Sequence, residues 1–210
     1  MPTLDHPVKM QIKDIEQLYK RIKRFSKKLE QQHGEGAEWN YTFPDGQNVI
    51  YRITNVKSPE EIGDLVATLF IWVWSFKDYL KDILNTKGLS SQYEIEDIAN
   101  NDRNLSICAD IANGLKHGDL RGSRSKKFPV LGAASYSIAF DRSAPHNSID
   151  SIWFTGPYVI INACEPNLID IKIPIKDNNG NIICDAHSCL NSSISCWEAI
   201  LDKIQVNNHD

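Results

Sequence analysis

Apolar side chains recur at intervals of three and four residues along much of the chain, a spacing typical of amphipathic helices. The predicted helices cover residues 9–32, 59–87, 90–100, 102–117 and 188–204. Ser58 and Pro59 suit a first helical turn, whereas Gly88 and Gly118 suit C-terminal ends. The helix at 59–87 is apolar nearly all round, which predicts that other elements cover it on several sides.

Alternation of apolar and polar residues predicts strands in two parts of the chain. A hairpin is expected over residues 39–54, where Trp39, Tyr41 and Phe43 alternate before a Pro-Asp-Gly turn. Its place between two helices suggests an insertion or a lid. Its aromatic side chains either pack within the hairpin or, if exposed, offer a surface on which bases stack. Further strands are predicted over residues 130–140, 149–162, 168–175 and 182–184.

Together these elements predict an α+β protein. Residues 1–120 would form an N-terminal antiparallel helical bundle with the hairpin inserted in it. Residues 121–210 would form a C-terminal antiparallel β-subdomain closed by a helix. The two parts are expected to pack as one compact unit, since 210 residues with 41% hydrophobic content suffice for a real core.

Charge and cysteine content narrow the class of protein. The net charge of −4 argues against a general affinity for nucleic acid, so any anion site depends on a local patch. Five cysteines without a CxxC spacing, and no apparent signal peptide, favour a reduced cytoplasmic protein. The most apolar run, residues 65–76, is shorter than the ~20 residues that span a bilayer, so no membrane association is expected.

The sequence offers no motif for a cofactor or a metal. It contains no P-loop, GxGxxG, GxSxG or HExxH pattern. Cysteine and histidine residues gather near the last helix, at Cys184, His187, Cys189 and Cys196. Their spacing matches no zinc site, and they are interpreted as small buried side chains. We therefore expect neither a cofactor nor a metal.

The helix at 102–117 carries an unusual polar face, formed by Arg103, Ser106, Asp110, Asn113 and His117. His117 ends the helix, where the helix dipole favours a cation, and Asn113 lies one turn before it. Asp110 lies about 10 Å from His117 along the axis, so it would tune the site rather than touch the ring. His117 either caps an ordinary helix end or acts as a general acid, or as a cation that faces phosphate.

A basic loop with glycines follows this helix directly. Residues 116–127 contain five positive side chains and one negative side chain. The candidate ligand-binding residues are Lys116, Arg121, Arg124 and Asp110. RNA cleavage without a metal needs a proton-transfer group and cations around the phosphate, and His117 beside this loop would supply both. A two-fold dimer would bring a second His117 into the same cleft.

The segment Asp110-Ile-Ala-Asn113-Gly-Leu-Lys-His117 resembles the motif of the HEPN superfamily of helical proteins. Many members are metal-independent ribonucleases of toxin–antitoxin, abortive-infection and CRISPR systems, and others are non-catalytic. The resemblance covers about residues 10–120. It implies a homodimer that forms through the helices, in which His117 is catalytic and Asn113 supports it. It also implies RNA as substrate and a protein partner such as an antitoxin.

The arginine of the family motif is absent from its expected place. Positions 110–112 hold acidic and apolar residues, and Arg103 lies about 21 Å from His117 along the helix. The catalytic resemblance therefore extends only to His117 and Asn113. One hypothesis is binding of RNA or another phosphate ligand near the helix end, with metal-independent endoribonuclease activity in bacterial defence as its catalytic form. The alternative is a non-catalytic structural or interaction protein in which His117 caps the helix.

Overall fold

The computed structural model describes residues 15–90, 93–137 and 149–206. These residues form five α-helices and nine β-strands. The helices are α1 (Ile15–Glu30), α2 (Pro59–Thr86), α3 (Ile95–Asn101), α4 (Arg103–His117) and α5 (Ala186–Val206). The strands are β1 (Ala37–Thr42), β2 (Asn48–Thr54), β3 (Val130–Leu131), β4 (Ser135–Ser137), β5 (Ile149–Thr155), β6 (Tyr158–Ala163), β7 (Asp170–Lys172), β8 (Pro174–Lys176) and β9 (Ile182–Asp185). The predicted α+β class is confirmed, while positions 9–14, 91–92 and 138–140 of the predicted elements lie outside the described residues.

The central element of the helical part is α2. Ser58 Oγ accepts a hydrogen bond from the Glu61 amide at 3.1 Å, and Pro59 occupies the first turn, as the sequence predicts. Ten side chains of α2 are buried. They lie on more than one face of the helix, and α1, α4 and α5 pack against it. The prediction that other elements cover α2 on several sides is thus confirmed.

Small side chains allow α4 to approach α2 closely. Cys108 is fully buried, and its Sγ lies 3.7 Å from the carbonyl oxygen of Phe70 on α2. All residues from 105 to 112 are buried, and these include Ser106 and Asp110 from the predicted polar face. In the middle of the predicted polar face, Ser106 and Asp110 are therefore covered by protein. Arg103 and His117, at its two ends, are exposed.

The last helix, α5, joins the strands to the helical core. Asp185 Oδ1 accepts hydrogen bonds from the amides of His187 at 2.9 Å and Ser188 at 3.2 Å, so α5 begins directly where β9 ends. Farther along, the indole of Trp197 is buried and donates to the carbonyl oxygen of Val73 on α2 at 2.9 Å. This bond satisfies the polar edge of a large core side chain.

The predicted hairpin, β1 and β2, belongs to the largest sheet. That sheet has the order β1-β2-β6-β5, and β2 and β6 run parallel while the other two pairs are antiparallel. Parallel strands need a long crossover, which α2, α3 and α4 supply between β2 and β6. The hairpin thus forms one side of a mixed sheet that joins strands from before and after residue 120, while the strand pairs formed within the described residues after 120 are all antiparallel. Alternation identifies strands, but it does not tell which strands pair.

Two smaller antiparallel sheets, β3-β8-β9 and β4-β7, complete the described strands. The larger hydrophobic cluster joins all five helices with Ile173 and Ile175. The smaller cluster lies against the four-stranded sheet and includes Ile53, Ile149 and Ile161. Both clusters draw residues from before and after position 120, where the sequence suggested a boundary.

Two phenylalanines give a matched test of this core. Phe70 is 0% exposed and Phe154 is 79% exposed. Phe70→Ala should lower the free energy of unfolding by about 3–5 kcal/mol, because it leaves a cavity beside α4. Phe154→Ala should change the free energy of unfolding of the monomer, measured at low protein concentration, by less than about 0.5 kcal/mol. Urea denaturation measures both values, and equal losses would contradict the described packing.

Candidate functional site

The C-terminal end of α4 presents His117 to solvent. The helix closes at Gly118, whose φ of 72° is left-handed and whose amide donates to the Gly114 carbonyl oxygen at 2.8 Å. His117 is exposed and Asn113 is half-buried. Within the described part of the chain, no hydrogen bond joins these two side chains, although their spacing places them on one helix face. The predicted pair is thus adjacent but unconnected in this structure.

Asp110 lies beneath the loop that follows α4 and is 1% exposed. Its Oδ1 accepts from the Arg124 amide at 2.7 Å. Its Oδ2 accepts from the Ser125 amide at 2.9 Å, and from the hydroxyls of Ser123 and Ser125 at 2.7 Å each. A carboxylate with this many donors is well compensated for its burial. Asp110, which was predicted to contact a ligand, therefore accepts its hydrogen bonds from the protein itself, and these bonds hold the loop in place.

Ser123 extends this arrangement through the end of the loop. Its Oγ accepts from the amides of Lys127 at 3.1 Å and Phe128 at 3.0 Å. Lys126 and Phe128 have left-handed φ values of 59° and 48°, which are costly for residues with a side chain. Hydrogen bonds to Asp110 and Ser123 offset that cost. The loop thus has a defined backbone shape.

Arg124 anchors the loop to α2 and α3. Its Nη1 donates to Glu96 Oε2 at 3.0 Å and to Asn100 Oδ1 at 2.6 Å. The guanidinium also lies 5.0 Å from the centre of the Trp74 ring, within the range of a cation–π contact. Arg124 was a candidate ligand-binding residue from sequence, but in the structure its charge faces a carboxylate of its own chain.

Glu96 is the centre of a small cluster of cations. It forms ion pairs with Lys77 at 3.1 Å, with Arg124 at 3.0 Å and with Lys81. Partial burial acts to raise the pKa of Glu96. Hydrogen bonds from Lys81 and Lys77, together with the contact from Arg124, outweigh burial and lower the pKa of this carboxyl to about 2. The carboxylate is therefore charged at neutral pH and offsets the cations around it.

Four other cations of the same segment remain exposed: Lys116, Arg121, Lys126 and Lys127. Lys116 Nζ lies 3.3 Å from Ser75 Oγ on α2, a contact between exposed side chains. None of the four forms an ion pair with a carboxylate among the residues that the structure describes. These four cations and His117 lie within residues 116–127, and we call this group of exposed side chains the α4-end basic surface.

The four-stranded sheet presents a second surface, which the sequence did not locate. The pairing of the strands places seven uncharged residues on the same face of the sheet as the buried Ile53 and Ile161, but farther along the strands. They are Trp39, Tyr41, Val49, Tyr51, Ile152, Phe154 and Val159. Trp39 is 38% exposed, Tyr41 50% and Phe154 79%. Trp39 stacks on Tyr51 with ring centres 5.6 Å apart, so the hairpin aromatics both pack together and reach solvent. We call this surface the aromatic face.

The chain matches no protein-family model, no curated protein and no solved structure. No helix in the described ranges is long and apolar enough to cross a membrane. Within the same ranges, no group of three or more His, Cys, Asp or Glu side chains is arranged to hold a metal ion.

The role of Asp110 in fixing the loop leads to a direct test. Asp110→Asn replaces an acceptor oxygen with a donor opposite existing donors, which should lower the free energy of unfolding by about 1–3 kcal/mol. The freed loop should also become a faster site of trypsin cleavage, since it carries four basic residues after position 120. Asp119→Asn, an exposed aspartate two residues after His117, is the matched control. Loss of stability without faster loop cleavage would contradict the assigned role.

Proposed function

We propose that this protein binds RNA, or another ligand with phosphodiester groups, on the α4-end basic surface. The observation that supports the proposal is the set of hydrogen bonds to Asp110, which fixes the shape of the basic loop. A loop that is already ordered loses less conformational entropy when a ligand binds. The HEPN resemblance, which suggested the same helix end, is consistent with this ligand.

The cations that would contact phosphate differ from those suggested by sequence. Lys116, Arg121, Lys126 and Lys127 carry exposed positive charges; Asp119 is the acidic residue within the same segment, and Asp177 of the turn between β8 and β9 interacts with Lys127. Arg124 is left out of this group because Glu96 faces it at 3.0 Å. A local excess of positive charge attracts a polyanion even where the whole chain is acidic.

We infer binding without RNA cleavage as the main activity. Transfer of a proton in metal-independent cleavage needs an oriented His and a cation beside the same phosphate. His117 has no hydrogen-bond partner among the described residues that would orient its ring, and the family arginine is replaced by acidic and apolar residues at 110–112. A role in bacterial defence or with an antitoxin belongs to this proposal only through the resemblance.

An RNA-binding measurement tests the proposal with charge-matched variants. Arg121→Ala/Lys126→Ala removes two cations of the α4-end basic surface, and Lys20→Ala/Arg24→Ala removes two exposed cations of α1. We expect the first variant to bind single-stranded RNA at least about tenfold more weakly at ~0.1 M salt, with a salt dependence reduced by about two phosphate contacts. The α1 variant should bind like wild type. This comparison also tests whether Lys20 and Arg24 of α1 contact phosphate.

Two results of this experiment would contradict the proposal: no RNA binding by wild type, or equal weakening by both double variants. Incubation of labelled RNA with wild type and His117→Ala in EDTA tests cleavage separately. Intact RNA with both proteins supports binding alone. Cleavage by wild type that His117→Ala abolishes would instead assign the catalytic form of the HEPN resemblance.

The aromatic face supports a second candidate function, that of an interaction protein, and we propose a second copy of this chain as its occupant. An isologous interface places the same patch on both partners, and an uncharged patch meets its own copy without repulsion. The seven residues of this face carry no positive charge, which argues against RNA as their ligand. The exposed parts of Trp39, Tyr41 and Phe154 provide several hundred Å², enough for the apolar core of an interface of ~800 Å² per partner.

Sedimentation tests this homodimer. Phe154→Glu places a charge on the aromatic face, and should raise the dimer dissociation constant at least about tenfold, equivalent to ~1.4 kcal/mol. Ile182→Glu is the matched control, because Ile182 is 69% exposed on β9, outside that face. A wild-type chain that stays monomeric at ~100 μM, or two variants that dissociate the dimer equally, would contradict this occupant.

A further inference from the structure

A cavity of about 150 Å³ lies between the end of α1, the start of α2 and the point where β9 joins α5. The apolar residues of its lining are Leu29, Ile62, Val66, Ile171 and Ile173. Four of these side chains are buried and Ile171 is half-buried, so they form the inner part of the cavity. An apolar cavity of this volume is large enough for a ring the size of benzene.

The remaining residues of the lining are polar. They are Glu30, Gln32, Asp185 and His187, and each is half-buried or exposed. In the described part of the chain, neither carboxylate forms an ion pair, and no Lys or Arg side chain lines the cavity. The cavity therefore combines an apolar inner part with two carboxylates nearer to solvent.

The carboxylate of Asp185 is held in place and can accept a further hydrogen bond. Its Oδ1 accepts from the amides of His187 and Ser188 in the first turn of α5, and its Oδ2 accepts from the Ile173 amide at 3.2 Å. A carboxylate has about four acceptor positions, so Oδ2 has room for one more donor. A ligand that donates to Oδ2 meets a group that is already fixed, which lowers the entropy cost of binding.

A buried cation near this cavity is already bound to backbone oxygens. Lys57 is 2% exposed, and its ammonium donates to the carbonyl oxygens of Lys28 and Gln31 at the end of α1. These oxygens carry the negative end of the helix dipole, so the charge of Lys57 is compensated there. The amides of α5 likewise offset part of the charge of Asp185. Glu30 is the last residue of α1, where the dipole favours a cation, so the lining keeps a net negative charge.

We propose that this cavity binds a small primary amine in its protonated form, with a compact apolar body such as an aromatic ring. The apolar body fills the inner part of the cavity and leaves water. The ammonium group donates to Asp185 and Glu30 at the outer part, because its three N–H donors need acceptors of that kind. An anion of the same size is repelled by the two carboxylates, and a neutral ligand leaves their charge unpaired. The proposal is independent of RNA binding, since none of the five residues of the α4-end basic surface lines the cavity.

Three probes of nearly equal size test the charge of the site: benzylamine, benzyl alcohol and benzoate. Each is titrated into the full chain at neutral pH and low salt, and the backbone amides of Val66, Ile173 and His187 report binding by nuclear magnetic resonance. We expect benzylamine to shift these amides with a Kd of about 1 mM or lower. Benzyl alcohol should bind at least about tenfold more weakly, and benzoate should leave the amides unshifted. Equal binding of the amine and the alcohol, or no shift of these amides by benzylamine, would overturn the proposal.

Charge variants leave the cavity in place and remove its carboxylates one at a time. Glu30→Gln and Asp185→Asn should each weaken benzylamine binding about threefold and leave benzyl alcohol binding unchanged. Asparagine still caps the start of α5, so the second variant should fold. Asp97→Asn, an exposed aspartate of α3 outside the lining, is the matched control and should bind benzylamine like wild type.

A filled cavity gives a second, independent readout. Val66→Phe places a ring in the inner part of the cavity and should abolish binding of both benzylamine and benzyl alcohol. If this variant does not fold, the charge variants still decide the matter. Benzylamine binding that Asp97→Asn weakens as much as Glu30→Gln does would reflect the surface charge of the whole chain and would contradict the assigned site.

Discussion

The structure depends on the need to remove α2 from water. A helix with apolar residues on more than one face is stable only when neighbours cover it on several sides. In this chain α1, α4 and α5 supply that cover, and Trp197 adds a hydrogen bond to the α2 backbone. Since α5 follows β9 directly, the same constraint draws the C-terminal strands onto the helices. The chain before and after residue 120 is therefore one packed structure.

A buried carboxylate connects this core with the basic surface. Asp110 lies on α4 beneath the loop that follows this helix and is 1% exposed. Isolated in the interior, its charge would be strongly unfavourable, so the amides and hydroxyls of residues 123–125 are held against it. Core packing thus determines the shape of a surface loop.

The two exposed surfaces have opposite chemistry. The α4-end basic surface is polar and positively charged, whereas the aromatic face is apolar and uncharged. A polyanion would bind the α4-end basic surface, because the release of counterions favours that contact. A protein partner would bind the aromatic face, because the contact removes apolar area from water. The two candidate functions therefore concern different parts of the molecule and do not compete for the same residues.

The sequence by itself determined the helices, the turns and the location of the polar residues of α4. Local signals suffice for these, since the Ser58 cap, the Gly118 end and the spacing of apolar residues act within a few positions along the chain. It also indicated His117 and the basic loop. Only the tertiary structure decided that β2 pairs parallel with β6, that Asp110 supports the loop, and that Glu96 faces Arg124. These contacts join residues far apart in sequence, and a charge or a strand carries no local mark of its distant partner.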